Sequence, residues 1–141
     1  MPETAVADTN LFIRLLTRDD LQQMLAAQIV FEKARVGEIS LIIHDLLIAE
    51  IIWVLESLYN LDSNSIRERL LALLNTPGLT VKPADLGGQA QAVNIYADKN
   101  IDYIDAYTTC WMKAHDISVI YTFNKKHFSR VDGIEVRVPQ A

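Results

Sequence analysis

Residues 4–16 read Thr4-Ala5-Val6-Ala7-Asp8-Thr9-Asn10-Leu11-Phe12-Ile13-Arg14-Leu15-Leu16, and this junction decides the fold class. Residues 4–7 form a short apolar run suited to a buried strand, and residues 10–16 place apolar side chains on a helical period. A strand that passes directly into a helix opens an α/β unit, and open α/β sheets take their ligands at the carboxyl ends of the strands. Asp8 stands at that end. It, Thr9 or Asn10 would equally suit the N-cap of the helix that follows.

Outward from this unit, Asp19-Asp20 opens a second helix that runs to Gly37, and residues 39–43 are short and β-rich, predicting a second strand. Residues 45–59 read as a long, almost wholly apolar helix. Ser63 or Asn64 suits the cap of the next helix, which stops at Thr76-Pro77-Gly78, and the two helices in succession suggest an antiparallel pair. Further strands are expected at 79–81 and 119–122, helices at 85–99 and 103–114, and an edge strand at 135–138. Strands alternating with helices predict an α/β fold whose mainly parallel sheet is covered on both faces, made irregular by the paired helices.

The chain of 141 residues has the size of one domain, expected to span 1–141; half its residues are apolar and it has five Gly and four Pro, which argues against disorder or a long linker. No internal repeat appears. The first residues carry no basic leader and no apolar signal core, so a cytoplasmic location is expected. The apolar stretch 40–55 is interrupted by His44, Asp45 and Glu50, each costly in a bilayer, and reads as protein core and not a membrane span. Cys110 is the one cysteine and is expected to be a buried small hydrophobe. A net charge of −5 is the wrong sign for binding nucleic acid over the whole surface, so any RNA contact must be local.

Three acids stand in unusual surroundings. On a helix, Glu50 has Leu46, Leu47, Trp53 and Val54 as its neighbours at three and four positions, so its carboxylate is expected to be desolvated. Such a group needs a hydrogen-bonded partner, a cation or a proton, and Arg14 is a candidate ion-pair partner. Asp105, three residues after Asp102, reads either as part of a capping arrangement or as a site residue. Trp53 and Trp111 read as core, His44 and His115 as structural, and His127 as a surface residue. If Asp8, Glu50 and Asp105 converge, each pair of charges about 4 Å apart repels by roughly 4 kcal/mol at an effective dielectric near 20, a heavy load on a fold stable by ~5–15 kcal/mol. A divalent cation relieves it. Carboxylate donors favour Mg²⁺ or Mn²⁺, and no Cys/His spacing suggests zinc.

Together, Asp8-Thr9-Asn10 after the opening strand, Glu50 within Leu47-Ile48-Ala49-Glu50-Ile51-Ile52-Trp53-Val54-Leu55, Asp105-Ala106-Tyr107 opening a helix, and Tyr121-Thr122-Phe123-Asn124-Lys125-Lys126-His127-Phe128 after a strand make the chain similar to PIN-domain ribonucleases, especially VapC-like toxins of toxin–antitoxin pairs. The resemblance covers nearly the whole chain. It implies a PIN-like three-layer α/β/α fold with a mainly parallel central sheet. It also implies a metal-dependent endonuclease acting on RNA, with Asp8 and Asp105 as metal ligands, Glu50 as ligand or orienter of a bound water, and Asn124 in the place of a further acid. An amide there supplies no charge, which puts a second ion in doubt. Thr9, Asn10 and Thr122 are candidates to hold the water or a phosphate oxygen, and Lys125, Lys126, Arg130 and Arg14 to form a local positive rim. The resemblance further implies a small antitoxin partner and a homodimer, for either of which the apolar helices of residues 45–74 offer surface. Two alternatives stand beside it. One is a metal-dependent phosphatase, weakened by the lack of a second acid two residues after Asp8; the other is a binding module with reduced activity, for which Asn124 speaks.

Overall fold

A computed structural model describes residues 2–85 and 87–141. In chain order the described residues form β1 (Glu3–Ala7), α1 (Thr9–Thr17), α2 (Leu21–Arg35), β2 (Ile39–His44), α3 (Asp45–Ser57), α4 (Ser63–Leu74), β3 (Leu79–Lys82), α5 (Gln89–Lys99), α6 (Tyr103–Ala114), β4 (Val119–Tyr121), α7 (Lys125–Phe128) and β5 (Glu135–Arg137). The five strands make one sheet in the order β3-β2-β1-β4-β5, with every neighbouring pair parallel. All carboxyl ends therefore share one edge. The expected parallel sheet of an α/β/α fold is present.

β1 occupies the middle of the sheet because its side chains allow burial on both faces. Ala5, Val6 and Ala7 are all fully buried, and consecutive strand residues point to opposite sides, so helices cover the sheet above and below. Leu41, Ile42, Ile43 and His44 continue the same pattern in β2. Gly78, at φ +86°, leads into β3 where only glycine fits, since a Cβ there would meet the Ala34 carbonyl oxygen at 2.2 Å. This close approach sets α2 against the start of the edge strand.

Several element ends differ from expectation for local reasons. α4 is capped by Asp62, whose carboxylate accepts from Ser65 N at 2.8 Å, and not by Ser63 or Asn64. The helix expected from residue 85 starts at Gln89, after Gly88 at φ +77°; Leu86 lies outside the described residues. The single turn α7 is too short to show a period in the sequence, and it is anchored by the fully buried Phe128. Trp53 is 61% exposed and is not core, whereas Trp111 is buried. Cys110 is half-buried and not enclosed as expected, and burial still pushes its thiol pKa up. Among the described residues no helix is long and apolar enough to cross a membrane.

Candidate metal centre

The parallel register brings the ends of β1 and β4 side by side. Ala7 is level with Tyr121, and Asp8 N donates to the Tyr121 carbonyl at 3.0 Å. Asp8 and Thr122, the residues next along each strand, consequently meet beyond the sheet edge. Thr122 Oγ1 donates to Asp8 Oδ2 at 2.7 Å, and Asn10 Nδ2 donates to the same carboxylate oxygen at 3.3 Å. Asp8 Oδ1 accepts from Thr9 N at 2.8 Å, so Asp8 is the N-cap of α1 and a cluster member at once.

α3 and α6 supply the other two acids. Asp105 lies in the first turn of α6 and is buried; Glu50 lies on the second turn of α3 and is half-buried. One carboxylate oxygen from each of Asp8, Glu50 and Asp105 falls within 4.8 Å of the others. Their proximity and burial both disfavour ionisation. Asp8 is pushed well above the usual carboxylate range, first by desolvation and then by the charge of Asp105, against the opposing hydrogen bonds from Thr122 and Thr9. Asp105 is raised by desolvation, Glu50 and Asp102, and Glu50 by desolvation and Asp102.

The cluster suits a hard divalent cation on the chemistry of its donors. Three buried or half-buried carboxylates converge without a Lys or Arg in hydrogen-bond contact among the described residues. Beside them Thr9 Oγ1 is buried and makes no hydrogen bond of normal geometry, although it faces Glu50 and helps hold that carboxyl's pKa down. Three convergent carboxylates with no nitrogen or sulfur donor among them make an all-oxygen set that a hard divalent cation fits.

Some residues expected here do other work. Arg14 does not pair with Glu50; it donates to Gln23 Oε1 at 2.7 Å, Asp19 Oδ1 at 2.9 Å and Tyr59 Oη at 3.3 Å. Glu50 is less enclosed than its neighbours suggested, because Ala49 and Trp53 are exposed and the α3 face is not wholly covered. Arg130 is spent on the carbonyls of Lys99 and Asn100 at the end of α5. Lys125 and Lys126 are exposed on α7. Thr122 is fully buried and its hydroxyl is saturated, accepting from Asn10 Nδ2 and Asn124 N while donating to Asp8. Asn10 is occupied as well, its carbonyl accepting from Phe123 N at 3.1 Å. Both hydrogen-bond Asp8, Thr122 from a fully buried position and Asn10 from a half-buried one.

His127 departs most from its expected place. It is not a free surface residue: its Nδ1 lies 2.8 Å from Asp105 Oδ2 and 3.0 Å from the Asn124 amide nitrogen. Asp102, Asp105 and His127 form a second group of donors within 4.8 Å, sharing Asp105 with the first. Asp102 is the N-cap residue of α6 yet makes no capping hydrogen bond with its side chain. The three-residue spacing from Asn124 to His127, followed by Phe128, was the available signal, since one helical turn returns both polar side chains to one side. His44 and His115 are engaged elsewhere, with Thr108 Oγ1 at 2.9 Å and Asp85 Oδ2 at 2.5 Å.

The PIN domain family model matches residues 5–134 of the chain. Among solved structures, VapC20 of Mycobacterium tuberculosis, a sarcin–ricin loop cleaving toxin, superposes with a TM-score of 0.74 at 16% identity, over 95% of this chain and 99% of that one. A toxin–antitoxin complex from Klebsiella pneumoniae matches with a TM-score of 0.65 at 17% identity, covering 96% and 97% of the two chains. VapBC2 from Rickettsia felis, bound to a DNA fragment from its promoter, matches with a TM-score of 0.63 at 11% identity, covering 95% and 97%. No curated protein sequence matches significantly.

Proposed function

The chain belongs to the PIN domain family, and from that membership we propose that it is a metal-dependent endoribonuclease serving as the toxin of a toxin–antitoxin pair. The observation that carries the reading is the convergence of Asp8, Glu50 and Asp105 at the carboxyl edge of the sheet. The toxin and toxin–antitoxin structures with the same fold support it.

Asp8, Asp105 and Glu50 would hold the cation, Mg²⁺ or Mn²⁺. When bound, it supplies neutralisation of the acids and Lewis acidity toward a phosphodiester. The chain's own residues do the rest. Thr122 and Asn10 fix Asp8 in one rotamer, so that the site is organised before substrate arrives. Glu50, the most exposed of the three acids, orients the attacking water and takes its proton on a carboxylate oxygen as the new P–O bond forms. The bond from phosphorus to the departing sugar oxygen breaks, and that oxygen takes a proton from solvent. Lys125 and Lys126, exposed on α7 next to His127, supply the local positive charge that an acidic chain needs to hold RNA.

The cognate partner is a small antitoxin. The groove between α3 and α4, about 430 Å³ and lined by Ile48, Ile52, Ile66, Leu70, Leu71 and Leu74, offers apolar surface for it or for a second copy of the chain in a homodimer. Incubation of the purified protein with RNA in Mn²⁺ or Mg²⁺, with and without chelator, tests the activity. Chelator-sensitive internal cleavage is expected; hydrolysis of small phosphate monoesters with RNA left intact would favour a phosphatase.

A further inference from the structure

Phe128 is fully buried, and by anchoring the single turn of α7 it carries His127 over the start of α6. There the imidazole meets Asp105, a side chain 7% exposed, while His127 itself is 24% exposed. Among the described residues, His127 is the side chain that hydrogen-bonds the Asp105 carboxylate, at 2.8 Å. Asp105 belongs both to the Asp8–Glu50 group and to the group with Asp102 and His127, so it is the one acid shared between them.

As a metal ligand Asp105 is ionised and can only accept, so in that form the ring meets it with Nδ1–H. The Asn124 amide faces the same nitrogen at 3.0 Å and would oppose it with an N–H. A half-turn of the amide presents its oxygen instead, with no displacement of the heavy atoms, and Nδ1–H is then shared between two acceptors. Asn124 thus reaches Asp105 through the imidazole, as a partner of the ring.

We propose that His127, steadied by Asn124, is a positioning residue that holds the Asp105 carboxylate in the orientation that binds the divalent cation. The role rests on Asp105 being a ligand, as in the function proposed above. A ligating carboxylate gripped at one oxygen loses its freedom to rotate, and partners of this kind typically tune metal affinity by about 10–100-fold.

The test is calorimetric titration of Mn²⁺ into the full chain without RNA, alongside melting curves in chelator. His127→Ala is expected to weaken Mn²⁺ binding by about 10-fold or more, and His127→Asn, whose amide can still donate to Asp105, to recover most of that loss. Asn124→Ala is expected to lose affinity in the wild-type background and nothing further when combined with His127→Ala. Mn²⁺ affinity unchanged in His127→Ala, with only a lower melting temperature in chelator, would overturn the proposal and leave the nuclease reading standing. If His127→Ala does not fold, His127→Leu and Asn124→Ala replace it, and wild-type affinity in both would overturn the proposal equally. A wild-type chain that binds no Mn²⁺ would instead remove the cation itself, and with it both readings.

Discussion

Thr122 Oγ1 donates to Asp8 Oδ2 at 2.7 Å, a buried hydrogen bond between residues 114 positions apart that ties the end of β4 to the end of β1. The same oxygen accepts from Asn10 Nδ2 and Asn124 N, so one hydroxyl organises three other groups. Thr122→Val keeps the volume and removes all three bonds. It is expected to lower Mn²⁺ affinity by about 10-fold and to destabilise the fold by ~1–3 kcal/mol, because the Asn124 N–H and an Asp8 lone pair are left without their partner. Thr122→Ser should restore both. Unchanged affinity in Thr122→Val would show that Asp8 needs no such support.

Asp8→Asn retains the shape of the side chain and its bond from Thr9 N while removing the charge. RNA cleavage should fall to background with the fold intact by circular dichroism. Expression of the wild type alone should arrest growth, and expression of the variant should not. Equal growth with both would speak against a toxin.

The pH dependence of stability in chelator has a definite sign. Asp8, Asp105 and Glu50 hold their protons more tightly folded than unfolded, so their contribution is full below the unfolded values near pH 4 and declines as pH rises toward the raised folded values. His44 runs the other way: desolvation lowers it to about 4, so its contribution is present above about pH 6.5 and lost as pH falls through 4. Above about pH 6.5 only the acids remain. Stability, and the melting temperature with it, should therefore fall from about pH 6.5 to about pH 8.5, by up to ~1.4 kcal/mol per pH unit for each proton released. The slope should be shallower in Asp8→Asn. Parallel slopes in the two proteins would show that Asp8 is already ionised at the lower pH.

Asp105→Asn relieves like-charge repulsion while its amide oxygen can still accept from His127. It should melt higher than wild type in chelator and gain less from Mn²⁺, since a ligand that binds only the native state stabilises by about 2.7 kcal/mol at a hundredfold excess over Kd. A simple first-turn role predicts the loss of a dipole interaction of about 0.3–1 kcal/mol with or without the ion. Equal destabilisation in both conditions would take Asp105 out of the metal centre.

Lys125 and Lys126 are exposed on α7, one turn of helix that also carries His127. Replacing both by Ala should weaken RNA binding and lessen its salt dependence, with the slope changing by about 0.7 for each phosphate of a single strand no longer neutralised. Mn²⁺ affinity should not move. An unaltered salt slope would place the RNA path elsewhere.

Much of this arrangement is legible in the residues themselves. The apolar run before Asp8, the helical periods and the bounds of α6 are local properties, set by side chains within a few residues of one another, and the sequence alone determined them. It also singled out Asp8, Glu50 and Asp105, because a carboxylate at a strand end or in an apolar helix is costly wherever it lies. Which strands are neighbours was decided only by tertiary packing: β1 lies between β2 and β4, and that order creates the Asp8–Thr122 bond. Periodicity marks an apolar face without saying what covers it, so Trp53 stayed exposed and Glu50 half-buried. Likewise, whether a charge finds its partner nearby in sequence or across the fold is a matter of long-range geometry. Arg14 went to Asp19 and Tyr59, while His127 reached Asp105 because the buried Phe128 fixed α7 against α6.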